Sequence, residues 1–257
     1  MAKPVLWHIR ISHYNEKVRW ALDHKRIAHV RRAPLPGLHP LVARWVSDGQ
    51  TLPALGLGGR AITDSTRIIA ELERRWPEPP LYPRDPTQRE RALALEDHFD
   101  ERLGPEIRRL LFALLFSDPR LAGTTLIGPD DARRASVMSK TFVAARPFVA
   151  HYYGVSSDRI AHARASLEGA LDRVQEEAGP SGYLVGDSFT VADLTAASLL
   201  APIVRPPQFA GRAERFTPEA QALADELGEH PTFAWVREMF ARHREPALKA
   251  SSTASGA

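Results

Sequence analysis

Residues 62–83, ITDSTRIIAELERRWPEPPLYP, run from the end of one regular element through a second into a stiff connector. Ile62 and Thr63 close a β-like run that begins at Arg60. Asp64-Ser65 then supplies helix-starting chemistry, and Ile68, Ile69, Leu72 and Trp76 recur at the spacing that lines one face of a helix. Pro77 ends that helix, because it offers no N–H and restricts the residue before it. Residues 77–86 hold five prolines, a composition that keeps a chain extended. The chain changes character here, so the boundary between two domains is expected at this point.

Upstream, Gly58-Gly59 separates two short β-like runs, 52–57 and 60–63, which predicts a hairpin. Residues 5–11 read as a buried strand and 28–32 as a second strand. Between them, 16–25 reads as a helix, with Val18, Ala21 and Leu22 at helical spacing. A Pro/Gly-bearing segment, 33–40, leads to a short helical stretch near 41–46. The expected order is β-α-β-α-β-β-α.

Downstream the pattern is helical almost throughout. Residues 89–116 carry Leu93, Phe99, Leu103, Ile107, Leu110 and Leu114 in register, with Gly104-Pro105 expected to kink or interrupt the helix. Helices are also expected at 132–150, 158–177 and 231–244. The sharpest local signal is FTVADL, 189–194. Thr190 can cap a helix while Asp193 reaches back to the cap's amide, and Phe189 and Leu194 stand where a hydrophobic staple would close. The plain reading of that motif is a well-made helix start with no chemistry.

Composition excludes several classes. None of the 257 residues is cysteine, which removes disulfide frameworks, thiolate zinc sites, CxxC redox pairs and cysteine nucleophiles. Any thiol chemistry must import its sulfur. Lys+Arg is 34 against 31 Asp+Glu, a net +3 with the signs interspersed, and no basic run or recognition motif argues for nucleic acid. The ten histidines show no metal-binding spacing, and there is no phosphate-loop glycine motif. MAKPVLWHIR lacks a signal peptide's apolar stretch and no long apolar run follows, so a cytoplasmic protein without membrane contact is expected. The final stretch, 249–257, is small and polar, the composition of a disordered tail.

Four stretches, SHYNEKVRWAL from Ser12, QTLPAL from Gln50, the segment from Ile62 quoted above, and YLVGDSFTVADLTAASLLAP from Tyr183, in that order across residues 12–202, resemble the cytosolic glutathione transferases. The resemblance implies a thioredoxin-like α/β domain followed by an all-α helical bundle: a glutathione-binding domain over 1–80, a linker over 81–88 and a helical domain over 89–248. It also implies glutathione as cosubstrate, no metal, a small electrophile as the second substrate, and a homodimer.

By itself Ser12 reads as a helix cap, the place serine favours without any chemistry. The resemblance implies a second role, contact with the glutathione sulfur, in a branch of the family that uses serine; the tyrosine-using branches place their tyrosine where this chain has Trp7. His13, Tyr14 and Asn15 add polar groups to the same turn without an assigned role. Leu52-Pro53 is similar to the residue and cis-proline that present backbone to the cysteinyl unit. Asp64-Ser65 is similar to the pair that holds the γ-glutamyl end, with Asp64 one methylene shorter than the usual glutamate. Gln50 and His39 stand roughly where the glycyl carboxylate is held. For an apolar second-substrate cavity the candidates are Phe112, Leu115, Phe116, Phe148, Tyr152 and Tyr153. The expected activity is transfer of the activated glutathione thiol to a small electrophilic or hydrophobic substrate. The alternatives are a non-catalytic binding or scaffold protein of the same fold, or an enzyme using another low-molecular-weight thiol.

Overall fold

A computed structural model describes residues 3–128, 131–209, 211 and 217–244. The expected tail, 249–257, lies outside them. The first part of the chain runs β1 (Val5–Trp7), α1 (His13–His24), β2 (Val30–Arg32), α2 (His39–Val46), β3 (Ala54–Leu57), β4 (Arg60–Thr63) and α3 (Ser65–Arg75). The strands form one sheet in the order β2-β1-β3-β4, with β1 and β2 parallel and the other pairs antiparallel. This is the thioredoxin-like arrangement. Leu6 pairs with Leu55 across the sheet, and both are completely buried under Val18, Ala21 and Leu22 of α1 and Ile68, Ile69 and Leu72 of α3. The β3–β4 turn needs positive φ at both central residues; Gly58 (57°) and Gly59 (85°) supply it without a Cβ penalty.

The second part is helical: α4 (Pro86–His98), one π-helical turn (Phe99–Leu103), α5 (Gly104–Ser117), α6 (Pro119–Ile127), α7 (Ala132–Tyr153), α8 (Ser157–Glu177), α9 (Val191–Val204), α10 (Pro218–Leu227) and α11 (Pro231–His243). Helix α9 is apolar on nearly every face and lies at the centre, packed on α1, α4, α5 and α11. Thr190 and Asp193 make the capping box that FTVADL predicts.

Several boundaries differ from the sequence reading. Strand β1 stops at Trp7 rather than Ile11 because the Ile9 N–H turns to the Asn15 side chain instead of a neighbouring strand. Strand β3 starts at Ala54, since Pro53 has no N–H for the ladder. Helix α4 begins at Pro86, inside the expected linker, with the Asp85 carboxylate accepting from the Gln88 N–H. The helix expected over 89–116 is interrupted by the π-helical turn just before Gly104, where Pro105 cannot donate the α-type bond. Helices α6 and α10 lie where the sequence reading places no element.

Helix α1 is packed on all sides although it is rich in charge. Glu16, Lys17 and Arg19 are completely buried and Asp23 nearly so. Isolated charges there would be prohibitive, so each is paired. Arg19 Nη2 lies 2.7 Å from Glu16 Oε2, and Arg244 bridges Glu16 (2.7 Å) and Asp23 (2.6 Å). Lys17 Nζ reaches Glu96 on α4 (2.8 Å) and Asp100 in the π-helical turn (2.5 Å).

Candidate functional site

Ser12 ends the loop after β1 and occupies the N-cap position of α1, with extended backbone (φ −76°, ψ 128°). Its carbonyl accepts from the Glu16 N–H (2.9 Å), but its side chain does not cap the helix. Ser12 Oγ instead accepts from Asn15 Nδ2 at 2.7 Å. Asn15 is fully buried; its Oδ1 accepts from the Ile9 N–H (3.0 Å), and its Nδ2 also donates to the Leu52 carbonyl (3.3 Å). The Leu52-Pro53 peptide is cis, and Leu52 is buried where β3 begins, beside the end of β1. Ser12 and Leu52 are thus brought together through one side chain.

Asp64 and Ser65 stand where β4 turns into α3. Asp64 has φ +76°, a region that non-glycine residues seldom adopt and that costs of order 1–3 kcal/mol. Its Oδ1 accepts from the Arg67 N–H at 3.0 Å, so the carboxylate caps α3. Ser65 is buried in the first turn. Helices α1 and α3 pack together, and near their N-termini Lys17 Nζ donates to Thr66 Oγ1 (3.3 Å), while Thr66 donates to Asp100 Oδ2 (2.8 Å). Burial pushes the Glu96 carboxyl up, against the pull of Lys17.

His39 is the first residue of α2, half-buried, and its imidazole is pushed below its ordinary value by burial. Gln50 is exposed in the turn before Leu52. Among the described residues neither shares a hydrogen bond with the Ser12, Asn15 and Leu52 group, so their placement near it is by chain position only.

His13 and Tyr14 are spent on joining the two parts of the molecule. His13 Nε2 lies 3.0 Å from the Gly104 carbonyl, and burial with Arg108 nearby lowers its pKa to about 3, so a neutral ring donates there. The Tyr14 hydroxyl donates to the Asp100 carbonyl at 2.7 Å, and burial pushes its pKa up. The Tyr14 phenol is therefore committed at the interface.

Beside Ser12, Ile11 lines an apolar cavity of about 80 Å³ walled by Leu111, Leu114 and Leu115 of α5, Leu121 and Thr125 of α6, Ile203 of α9 and Leu223 of α10. Of the six expected cavity residues only Leu115 lines it. Phe116 packs on Phe142, Phe112 stacks on Tyr153 at 4.3 Å, and Phe148 and Tyr152 are exposed. Among the described residues no group of histidine and carboxylate side chains is placed to hold a metal ion.

The residue that sequence reasoning left without a role is Asn15. A signal was present: it stands three positions after an N-cap serine, where the capping-box partner reaches back, and here it reaches the cap's hydroxyl rather than its amide.

A thioredoxin-like sheet followed by a helical bundle, with Asn15 joining Ser12 to the residue before the cis-proline, sets the class of protein. The glutathione S-transferase N-terminal domain model matches residues 6–80, and the C-terminal domain model of the same family matches 157–234, between them more than half of the chain. A curated glutathione S-transferase from Triticum aestivum is 33% identical over 84 residues, which is 33% of this chain; the match spans about two fifths (39%) of that protein. Among solved structures, a glutathione S-transferase from Rhodospirillum rubrum F11 superposes with a TM-score of 0.61 at 22% identity, covering 98% of this chain and 94% of that one. One from Methylobacillus flagellatus with glutathione bound gives 0.61 at 18%, over 93% and 95% of the two chains, and the β-etherase LigF of Sphingobium gives 0.61 at 19%, over 94% and 100%. The chain belongs to the glutathione S-transferase family.

Proposed function

We propose that this chain binds glutathione and activates its thiol for attack on a small, uncharged, hydrophobic electrophile. The observation that carries this reading is that the Ser12 hydroxyl, at the mouth of α1, is not consumed in capping the helix and shares the Asn15 amide with the Leu52 carbonyl. A free thiol has a pKa near 8.5, so most of it is protonated at neutral pH, while the thiolate is the nucleophile. A hydroxyl hydrogen bond and the positive end of α1 both favour the thiolate, at about 1.4 kcal/mol for each pKa unit gained. Leu52 backbone would align the cysteinyl unit. Ser65 and the free amides of the first turn of α3 would receive the γ-glutamyl carboxylate, with Asp64 facing its ammonium. His39 and Gln50 would meet the glycyl carboxylate. The cavity behind Ile11 would take the electrophile, and Lys17, Glu96 and Asp100 would stay structural. With no cysteine in the chain, no mixed disulfide between enzyme and glutathione forms. The junction between domains falls in 76–85, and the working unit is a homodimer, which sedimentation would reveal.

The test is saturable glutathione binding by calorimetry together with conjugation kinetics. Ser12→Ala is expected to lower kcat/KM at neutral pH by about tenfold or more. Equal rates in wild type and Ser12→Ala would remove Ser12 from the chemistry. A non-catalytic binding role is the second reading, motivated by the Asp64 carboxylate being engaged on the Arg67 N–H; absence of any glutathione binding would favour it or the use of another thiol.

A further inference from the structure

Asn15 has no exposed surface, and its amide orientation is fixed from both ends. The Ile9 N–H can only donate, so the atom facing it at 3.0 Å is Oδ1; the Leu52 carbonyl can only accept, so the atom facing it at 3.3 Å is Nδ2. The two requirements agree. The same Nδ2 faces Ser12 Oγ at 2.7 Å, and an amide N–H brings only a hydrogen to that contact. The serine oxygen must accept there, and the hydroxyl hydrogen lies outside the Ser12 to Asn15 line. A hydroxyl owns one hydrogen, so this choice decides what Ser12 can offer elsewhere.

From this network we infer that Asn15 is a positioning residue that sets the polarity of Ser12: it fills an acceptor site on Oγ, leaves the O–H as a donor to the thiolate, and ties that donor to the Leu52 backbone. This rests on the glutathione reading above. Its content is additional, since a serine at the same place with its hydrogen turned onto a neighbouring oxygen would present a lone pair to sulfur and disfavour the thiolate. The tie to Leu52 makes the thiolate donor and the cysteinyl backbone contact one rigid unit.

The experiment reads the ionisation of glutathione bound to the full chain, from its ultraviolet thiolate absorbance against pH, in wild type, Ser12→Ala, Asn15→Ala and the double variant. Asn15→Ala is expected to raise the pKa of the bound thiol by about half a unit to one unit, and to add nothing when Ser12 is already alanine. Asn15→Asp keeps the shape and the acceptor for Ile9 but turns an acceptor onto Ser12. It is expected to raise the pKa by about one unit or more, and by more with Ser12 present than with Ser12→Ala. It also carries the test if Asn15→Ala does not fold. An Asn15 effect of the same size with or without the Ser12 hydroxyl would overturn the inference, because a purely structural role gives that result. So would an unchanged thiol pKa in the Asn15 variants while Ser12→Ala shifts it; that result leaves the glutathione reading standing. If Ser12→Ala itself leaves the bound thiol unchanged, or glutathione does not bind, the underlying reading fails and takes this inference with it.

Discussion

Asp193 is completely buried and both of its oxygens are occupied: Oδ1 accepts from the Leu184 N–H, and Oδ2 from the N–H and the hydroxyl of Thr190, each at 2.8 Å. Burial pushes the carboxyl up to about 6 even against those bonds. Replacing it leaves three buried donors unpaired, which is worse than losing the cap alone. Asp193→Ala is expected to cost about 2–4 kcal/mol and Thr190→Ala about 1 kcal/mol, read from urea unfolding midpoints. Asp193 and Asn15 are both buried polar side chains in the first turn of a helix, each satisfied by partners on more than one segment. Asp193 could be read in the sequence because its partners are three and nine residues away. For Asn15 only the spacing from Ser12 is legible, because the rest of its meaning depends on Leu52, 37 positions along the chain.

At the scale of elements, the π-helical turn and α1 are fitted to each other. A Cβ on Gly104 would lie 1.9 Å from the Tyr14 hydroxyl, itself bonded to the Asp100 carbonyl. Gly104→Ala must therefore expel the tyrosine or shift the turn, and is expected to cost about 1–3 kcal/mol; adding Tyr14→Leu should recover part of that loss. Thermal melts of the two single variants and the double variant check it. The same place shows where sequence reading stops. Gly104-Pro105 announced an interruption, and proline chemistry suffices for that, but the form of the interruption is set by what Tyr14 and His13 need from the freed carbonyls. The hairpin, α3, α8 and the capping box were legible because their signals are local. Helix α6 was not, since it packs chiefly on α7 with Gly123 so close to the Ala135 carbonyl that a Cβ would stand 2.1 Å from it, a fit between segments that no periodicity reports. The cavity follows the same rule: residue type points to aromatics, whereas five of its lining residues are leucines brought together by α5, α6 and α10 and only Phe209 is aromatic.

For the molecule as a whole, acid is the sensitive direction. Burial lowers the pKa of His8 and His13 to about 3 and that of His24 to about 4, against about 6.5 when unfolded. Between those limits the unfolded chain binds more protons, so these groups contribute stability above pH 6.5 that is lost as the pH falls, at up to about 1.4 kcal/mol per unit each. Asp193 and Glu96 act oppositely, since a carboxyl raised by burial favours the folded state as the pH falls, but they are two groups against seven imidazoles that burial lowers. Net destabilisation is expected from pH 6.5 to about 4, measurable as a fall in the urea midpoint; an unchanged midpoint at pH 5 would mean that these rings titrate normally.

The pairing of Arg244 with Glu16 and Asp23, joined by the Trp20 indole donating to the His243 carbonyl at 2.9 Å, ties the last described residue to the first helix. During synthesis that cation emerges more than two hundred residues after the carboxylates it neutralises. Helix α1 thus leaves the ribosome with Glu16 paired only to Arg19 and Asp23 only to Arg31, and the third cation, which joins the two acids to each other, follows much later. A nascent chain stalled before residue 244 is expected to stay protease-sensitive around α1, and release of the remaining residues to confer protection.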